Sequence, residues 1–317
     1  MYKVSIIIPI YNVENYIFNC LNSVIIQKRN NIDIECLLID DCSSDNSYEI
    51  ANTFVNNHKG AVRFVLLHNE LNKGLSAARN IGIQNATGDF VFFLDSDDYL
   101  LPDCLFQMTS VIKDNPDVDY IEGRFYSPKD NRVYPIRMGY QTIRNRIDLL
   151  KHFYAGRLSH VAWNKLIRRQ IIISNSLFFA EGIIYEDIQW SNRLLHCISS
   201  AVVIPDVTYE YEYNPMSISN TSYVNATKSI DSLVNVLDSF LMNNDIECYV
   251  DHKLFIFHYL LIALDIQMNC VVDEETNMRF ICIKKKLFFQ TFFDGRIILS
   301  LFFLLMFKPF SFLFKNA

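Results

Sequence analysis

FVFFLDSDDYL, residues 90–100, runs from five consecutive apolar residues into three carboxylates within four positions, Asp95, Asp97 and Asp98. The apolar run lacks two-residue alternation, so it reads as a strand covered on both faces, as strands of a parallel sheet are. Carboxylates packed this closely repel one another unless a cation or hydrogen-bond donors compensate them. A hard divalent cation takes oxygen ligands of this kind, and one that also touched a phosphate would turn the repulsion into a binding site. The alternative is a solvated helix N-terminus in which the aspartates of SDDYLLPDCL serve as caps.

Upstream, the same kind of run recurs as VSIIIPI (4–10), IECLLID (34–40) and VRFVLLH (62–68). Between these runs lie segments of helical character. ENYIFNCLNSVIIQ puts Ile17, Leu21, Val24 and Ile25 on one stripe, SDNSYEIANTFV opens with Ser and Asp capping candidates, and GLSAARNIGIQNA is rich in helix formers. Strands separated by helices make a βαβ series, so the expected architecture is α/β, an open and mostly parallel sheet flanked by helices. Ligands of such sheets sit beyond the carboxyl ends of the strands. The polar clusters lie there: Pro9, Tyr11 and Asn12 at the end of the first strand, Asp40 and Asp41 at the end of the second, and Asp95 to Asp98 after the fourth.

Composition narrows the function classes. The 317 residues are half hydrophobic and carry a net charge of -6, with no low-complexity linker and no internal repeat. A chain of this length buries a sizeable core in one large domain or two smaller ones and is not disordered. The acidic balance argues against a nucleic-acid partner held by bulk electrostatics, so any nucleotide bound is expected to be a small molecule. Eight cysteines are scattered without a C-x-x-C pair or zinc-ligand spacing, which fits small hydrophobes in a reducing compartment. The start, MYKVSIIIPIYN, lacks the apolar length and cleavage site of a secretory signal, so the chain is expected to fold in the cytoplasm.

Four ordered stretches, VSIIIPIYNVENYI, LLIDDCSSDNS, NKGLSAARNIGIQNATGDFVFFLDSDDYL and IYEDIQW, together resemble the family 2 glycosyltransferases, inverting enzymes of the GT-A fold. The resemblance covers the chain to about residue 215. It implies a GT-A domain over 1–215, with a nucleotide-binding half (1–100) and an acceptor half (101–215); beyond it, apolar residues at helical spacing predict a helical region over 216–317. It further implies that Pro9, Tyr11 and Asn12 form the first nucleotide-binding loop and that Asp41 accepts a hydrogen bond from a uracil ring, with Asp40 ordering that loop. Arg79 matches an arginine near the nucleotide, and Gly74 permits a close turn before a helix that can face phosphate. Asp95 and Asp97 match the D-x-D motif, the first near ribose or metal and the second on the metal, Mn²⁺ or Mg²⁺, with Asp98 in support. Asp187 matches the catalytic base, with Glu186 as its neighbour. Such a base removes the acceptor hydroxyl's proton as it attacks the anomeric carbon, while a divalent metal stabilises charge on the departing diphosphate.

Two positions depart from the family pattern. In DDCSSD, Cys42 occupies a place often held by glycine, and a cysteine there disfavours positive φ, so a differently shaped turn is expected. In YEYEYNPMSIS (209–219), Glu212 stands where an arginine is common, which leaves diphosphate neutralisation to Arg79 or Lys73. Tyr211, Tyr213 and Ser219 of that stretch read as strand and loop packing. Within HVAWNKLIRR (160–169), which resembles a segment common in the family, Trp163 offers a flat face for an acceptor sugar and Asn164 and Lys165 offer donors; a packed aromatic and a helix surface are the alternative.

The C-terminal hundred residues turn helical in pattern and end in a strongly apolar segment. Its uncharged run, 297–307, would extend only about 16 Å as a helix, against a hydrocarbon core of about 30 Å. An interfacial position on the inner face of the cell membrane suits it better, with Lys284, Lys285, Lys286, Arg296, Lys308 and Lys315 drawn to anionic lipid. A homodimer interface or a buried terminal helix is the alternative. The expected activity is transfer of a sugar from a nucleotide diphosphate, a UDP-sugar by preference, to a glycan acceptor on a lipid such as a polyprenyl carrier, in assembly of a bacterial surface polysaccharide. A nucleotidyltransferase and a silent sugar-nucleotide-binding protein are the competing classes.

Overall fold

The computed structural model describes residues 1–134, 139–217, 225–242 and 249–293. In chain order the elements are β1 (Tyr2–Ile10), α1 (Ile17–Ile25), β2 (Ile32–Asp40), α2 (Ser47–Asn57), β3 (Arg63–His68), α3 (Leu75–Asn85), β4 (Phe90–Phe93), β5 (Tyr99–Leu100) and α4 (Cys104–Ser110). There follow β6 (Tyr120–Ser127), β7 (Arg132–Tyr134), β8 (Gln141–Ile143), α5 (Arg146–Tyr154), β9 (Lys165–Arg168), α6 (Arg169–Ser174), α7 (Glu186–Cys197) and β10 (Ala201–Glu210). Three helices complete the described chain: α8 (Ala226–Met242), α9 (Tyr249–Asn269) and α10 (Glu274–Phe293).

The strands form one mixed sheet in the order β3-β2-β1-β4-β9-β6-β10-β5. The first four are mutually parallel, as the βαβ reading requires, and β9 enters antiparallel between β4 and β6. Alternate residues of β1 serve opposite faces: Val4, Ile6 and Ile8 pack with α1, α2 and α4, whereas Ile7 joins the cluster formed with α3, α5 and α7. Both faces are therefore dry, which explains the continuous apolar runs. β3 departs from that reading, with every residue part-exposed or exposed, because it lies at the sheet edge. The C-terminal helices share the core on the second face. Ile230, Leu237 and Phe240 of α8 and Phe255, Tyr259 and Leu260 of α9 belong to the same buried cluster as Ile7, Val91 and Trp190.

Two local features set the distances that matter for the site. Helix α3 crosses β1 at Gly82, where an added Cβ would lie 2.3 Å from Ile7 Cγ2, so only glycine allows this approach. Gly74, at φ +88°, turns the chain into the first turn of α3.

Beneath the opposite end of the sheet, Glu35 is 1% exposed and accepts from Ser5 Oγ (2.5 Å), Thr87 N (2.6 Å) and Thr87 Oγ1 (2.7 Å), with Lys3 Nζ 3.2 Å away. Burial alone would raise its pKa, but the hydrogen bonds from Ser5 and Thr87 and the Lys3 ammonium outweigh it and hold the carboxyl at about 2. A depressed folded-state pKa gives stability that is present above the ordinary carboxyl value and lost as pH falls toward the folded one. Glu35→Gln should therefore destabilise the protein by about 1.5–3 kcal/mol at neutral pH. In chemical unfolding the difference from wild type should shrink between about pH 4.5 and pH 2; a difference constant over that range would show that the ionised carboxylate contributes nothing.

Candidate active site

The carboxyl ends of β1, β2 and β4 and the N-termini of α3 and α7 converge on one region. After β1, Asn12 adopts φ +53° and its Oδ1 accepts from Ser44 N (2.8 Å), joining the first loop to the second. Tyr11 is 49% exposed, free to offer its ring to a ligand, whereas Pro9 is buried within β1 opposite Ile39 and shapes the strand, not the loop surface. Asp40 is fully buried, lies 2.8 Å from His68 Nδ1 and accepts from Ser43 N in the loop that follows β2. Asp41 accepts from Asn69 Nδ2 (2.8 Å), Lys73 N (3.0 Å) and Gly74 N (2.7 Å). With about four lone-pair directions on a carboxylate, roughly one is left for a further donor. The expectation of an altered turn at Cys42 is corrected: the cysteine takes φ +61°, so the backbone keeps the left-handed conformation of the glycine it replaces, at the strain cost of a β-carbon there.

Arg79, on α3, is 2% exposed and bridges two distant carboxylates, Asp95 Oδ1 (2.8 Å) and Glu186 Oε1 (2.7 Å). Burial opposes its charge, but Asp95 and Glu186 more than compensate and raise its pKa. This pair of contacts ties the end of β4 to the start of α7. It also engages both terminal nitrogens of Arg79, whereas Lys73, whose backbone N donates to Asp41, is exposed and makes no ion pair among the described residues.

Asp97 and Asp98 are held by β10 and the turn after it. Asn214 Nδ2 donates to Asp97 Oδ2 (2.9 Å), while Tyr209 OH donates to Asp98 Oδ2 (2.6 Å) and Glu212 N donates to Asp98 Oδ1 (2.9 Å). The same Tyr209 oxygen accepts from Asp95 N (3.3 Å). Asp98 is thus a buried brace for the loop and supports its neighbours from behind. Burial, and then repulsion from the other aspartates, raises the pKa of both Asp97 and Asp98. Tyr209 and Asn214 escaped the sequence reading; for Tyr209 the signal was the Y-E-Y-E-Y alternation, which sends every second side chain to one face of a strand, while Asn214, beyond the end of β10, had none.

These donors fit a divalent cation. Asp95 keeps a part-exposed side chain with one oxygen outside its Arg79 contact, Asp97 carries excess negative charge in a buried setting, and both offer hard oxygen ligands. Among the described residues no three His, Cys, Asp or Glu side chains are gathered around one point. Two carboxylates with the remaining positions left to phosphate oxygens and water is the usual manner of binding Mg²⁺, and Mn²⁺ takes the same ligands.

Asp187 lies in the first turn of α7, preceded by Tyr185 at φ +62°. That strained residue turns the chain abruptly into the helix. Its segment is pinned to α8, where Ile184 N donates to Ser232 Oγ (3.0 Å). Glu186 is spent on Arg79, whereas Asp187 accepts from Ile188 N (2.9 Å) at the helix start. Burial raises the pKa of both carboxyls, with Arg79 opposing.

The three acceptor candidates point inward. Trp163 is 6% exposed, its ring stacked 4.5 Å from Tyr209 and 5.6 Å from Tyr211. Asn164 is buried at φ +58°, donates to Gly123 O (2.9 Å) and accepts from Thr208 Oγ1 (2.7 Å). Lys165 is 1% exposed, in β9. Aromatic packing against β10 and the chain's entry into a covered strand explain why none faces solvent. Ser219 and the apolar tail 294–317 lie outside the described residues. Among the described residues, no helix is long and apolar enough to cross a membrane.

A family model described as Glycosyl transferase family 2 matches residues 5–174. EpsJ of Bacillus subtilis (strain 168), named as an uncharacterized glycosyltransferase, is 31% identical over 226 residues, 69% of this chain and 64% of EpsJ. YibD of Escherichia coli (strain K12), named likewise, is 30% identical over 224 residues, 68% of this chain and 63% of YibD. The match thus spans a little under two thirds of both relatives' length. The crystal structure of S. aureus TarS 1–349 in complex with UDP-GlcNAc aligns with a TM-score of 0.68 at 20% identity, over 95% of this chain and 89% of that one, a likeness of fold.

Proposed function

The chain belongs to glycosyl transferase family 2, and from that premise we propose that it transfers a sugar, with inversion, from a UDP-sugar to a hydroxyl of a glycan acceptor. The observation that carries the reading is the Arg79 bridge, which fixes the diphosphate-side Asp95 and the neighbour of Asp187 in one buried network.

In this reading Tyr11, Asn12 and Asp41 hold the nucleotide at the ends of β1 and β2. Asp95 and Asp97 would hold Mn²⁺ or Mg²⁺, which when bound stabilises negative charge on the leaving diphosphate. Lys73 sits beside the same loop and adds a positive charge. Asp187 takes the proton of the acceptor hydroxyl as that oxygen attacks the anomeric carbon from the face opposite the nucleotide. A carboxylate whose pKa is raised by burial is a stronger base than an ordinary one while still ionised near neutrality. Inversion then follows from a single displacement, with no protein nucleophile.

The protein incubated with a panel of UDP- and GDP-sugars and Mn²⁺ should release the nucleoside diphosphate slowly from its own donor, with water as acceptor. Release of pyrophosphate from a nucleoside triphosphate and a sugar phosphate would assign a nucleotidyltransferase instead. Binding of UDP with no turnover of any donor would assign a silent binding protein.

We place the acceptor on a membrane lipid at the cytoplasmic face. The support is compositional: the uncharged apolar run 297–307 is flanked by Arg296 and Lys308. The full chain should float with anionic vesicles and a chain ending at residue 293 should stay in the soluble fraction; equal flotation of both would end that placement.

A further inference from the structure

We propose that Asn214 is a positioning residue for the divalent cation, its amide nitrogen orienting the Asp97 carboxylate for the metal without cancelling its charge. The inference rests on the reading of Asp97 as a metal ligand. Asn214 lies beyond the end of β10, 117 positions along the chain from Asp97, and is 8% exposed. Its Nδ2 donates to Asp97 Oδ2 (2.9 Å). The other end of the same amide is engaged too, because Oδ1 accepts from Met216 N (2.9 Å). A backbone N–H is met here only by the amide's oxygen, so this second bond fixes which way the amide faces and turns its nitrogen toward the carboxylate.

The backbone that carries Asn214 is tied down as well. Tyr211 N donates to Tyr126 O (2.8 Å), Glu212 N to Asp98 Oδ1 (2.9 Å) and Ser217 N to Asn214 O (3.1 Å). Pro215 follows directly and confines Asn214 to extended backbone conformations. The turn is therefore closed on both sides of Asn214, and one of its ties runs to the same aspartate loop that the amide addresses.

The two aspartates of the D-x-D motif are held by different chemistry. Asp95 is met by a guanidinium, 2.8 Å away on Arg79, whereas Asp97 makes no ion pair among the described residues and is met by a neutral amide. An arginine or lysine in place of Asn214 would orient Asp97 as well, but its charge would offset the carboxylate and compete with a cation for it. An amide orients and leaves the negative charge whole. Asp97 is part-exposed, and a carboxylate in such a place without a partner turns about its side-chain bonds. A metal that demands near-ideal ligand geometry is then bound more weakly.

The test is Mn²⁺ affinity at saturating UDP, read from loss of the free-ion signal in electron paramagnetic resonance. Asn214→Ser keeps a side-chain oxygen for Met216 N but does not reach Asp97. Asn214→Asp keeps the size and the acceptor and puts a carboxylate oxygen where the donor was. Both should weaken Mn²⁺ binding about 10- to 100-fold, with a wild-type circular dichroism spectrum. Should the Ser variant fail to fold, the isosteric Asp variant carries the test. Wild-type Mn²⁺ affinity in either folded variant overturns the proposal, and so does misfolding of both, which would assign Asn214 to the turn alone. Wild-type Mn²⁺ affinity in Asp97→Asn would instead overturn the reading of Asp97 beneath it, so the two failures are distinguishable.

Discussion

Asp187→Asn should remove sugar transfer and leave UDP binding in place. General-base assistance of this kind is worth about 10²- to 10⁴-fold, and the variant should lose that factor from kcat with little change in nucleotide affinity. The structure separates the two effects. Asp187 sits in the first turn of α7, a different element from the β1 and β2 loops that carry Tyr11, Asn12 and Asp41. The hydrogen bond it accepts from Ile188 N, at 2.9 Å, is open to an asparagine oxygen as well, so the start of the helix should survive. Glu186 is a poor substitute base because its carboxylate is joined to Arg79 at 2.7 Å. In wild type, burial raises Asp187, so transfer should be present above its folded pKa and fall as pH drops through it. The residual rate of the variant should lack that limb. UDP affinity by calorimetry, together with donor turnover across pH, checks both halves; turnover at the wild-type level would move the base elsewhere.

Much of this site was legible from one chain because parallel strands covered on both faces leave long apolar runs, and whatever ends those runs lies at one sheet edge. That logic places Asp40, Asp41, Asp95 and Asp97 at this edge, whereas the roles expected of them came from the family resemblance. The second half was less legible. Nothing in local sequence shows that Arg79 joins Asp95 and Glu186, since the pairing spans 107 positions and depends on α3 approaching β1 at Gly82. Trp163, Asn164 and Lys165 carry groups that suit a sugar, yet β9 is inserted between β4 and β6 and the residues before it pack on Thr208 and Tyr209 of β10, so what looked like an open surface is interior. Cys42 marks a different limit: propensity disfavours φ +61° in a cysteine by only a modest energy, and the loop bonds around Asp40 and Asp41 outweigh it.

Asp97→Asn should abolish the thermal stabilisation that UDP and Mn²⁺ together give the protein, while leaving the ligand-free protein at least as stable as wild type. The second half comes from linkage. Burial, then repulsion from Asp95, raises the pKa of Asp97, partly offset by the Asn214 hydrogen bond. A raised carboxyl pKa means that its favourable contribution is present below the unfolded value and lost as pH rises through the folded one. At neutral pH the charged Asp97 therefore works against the empty fold, and asparagine, which cannot ionise and can still accept from Asn214, relieves it. The first half follows from the same charge, for the carboxylate that is uncomfortable alone is the one a divalent cation would satisfy. Ligand at 100 times its dissociation constant stabilises a fold by about 2.7 kcal/mol, an effect easily seen as a shift in melting temperature. Wild type should show it only with UDP and metal together, and the variant should show none. A variant that melts below wild type when empty would mean that Asp97 holds the loop together, and one that keeps the full UDP and Mn²⁺ shift would place the metal away from the D-x-D aspartates.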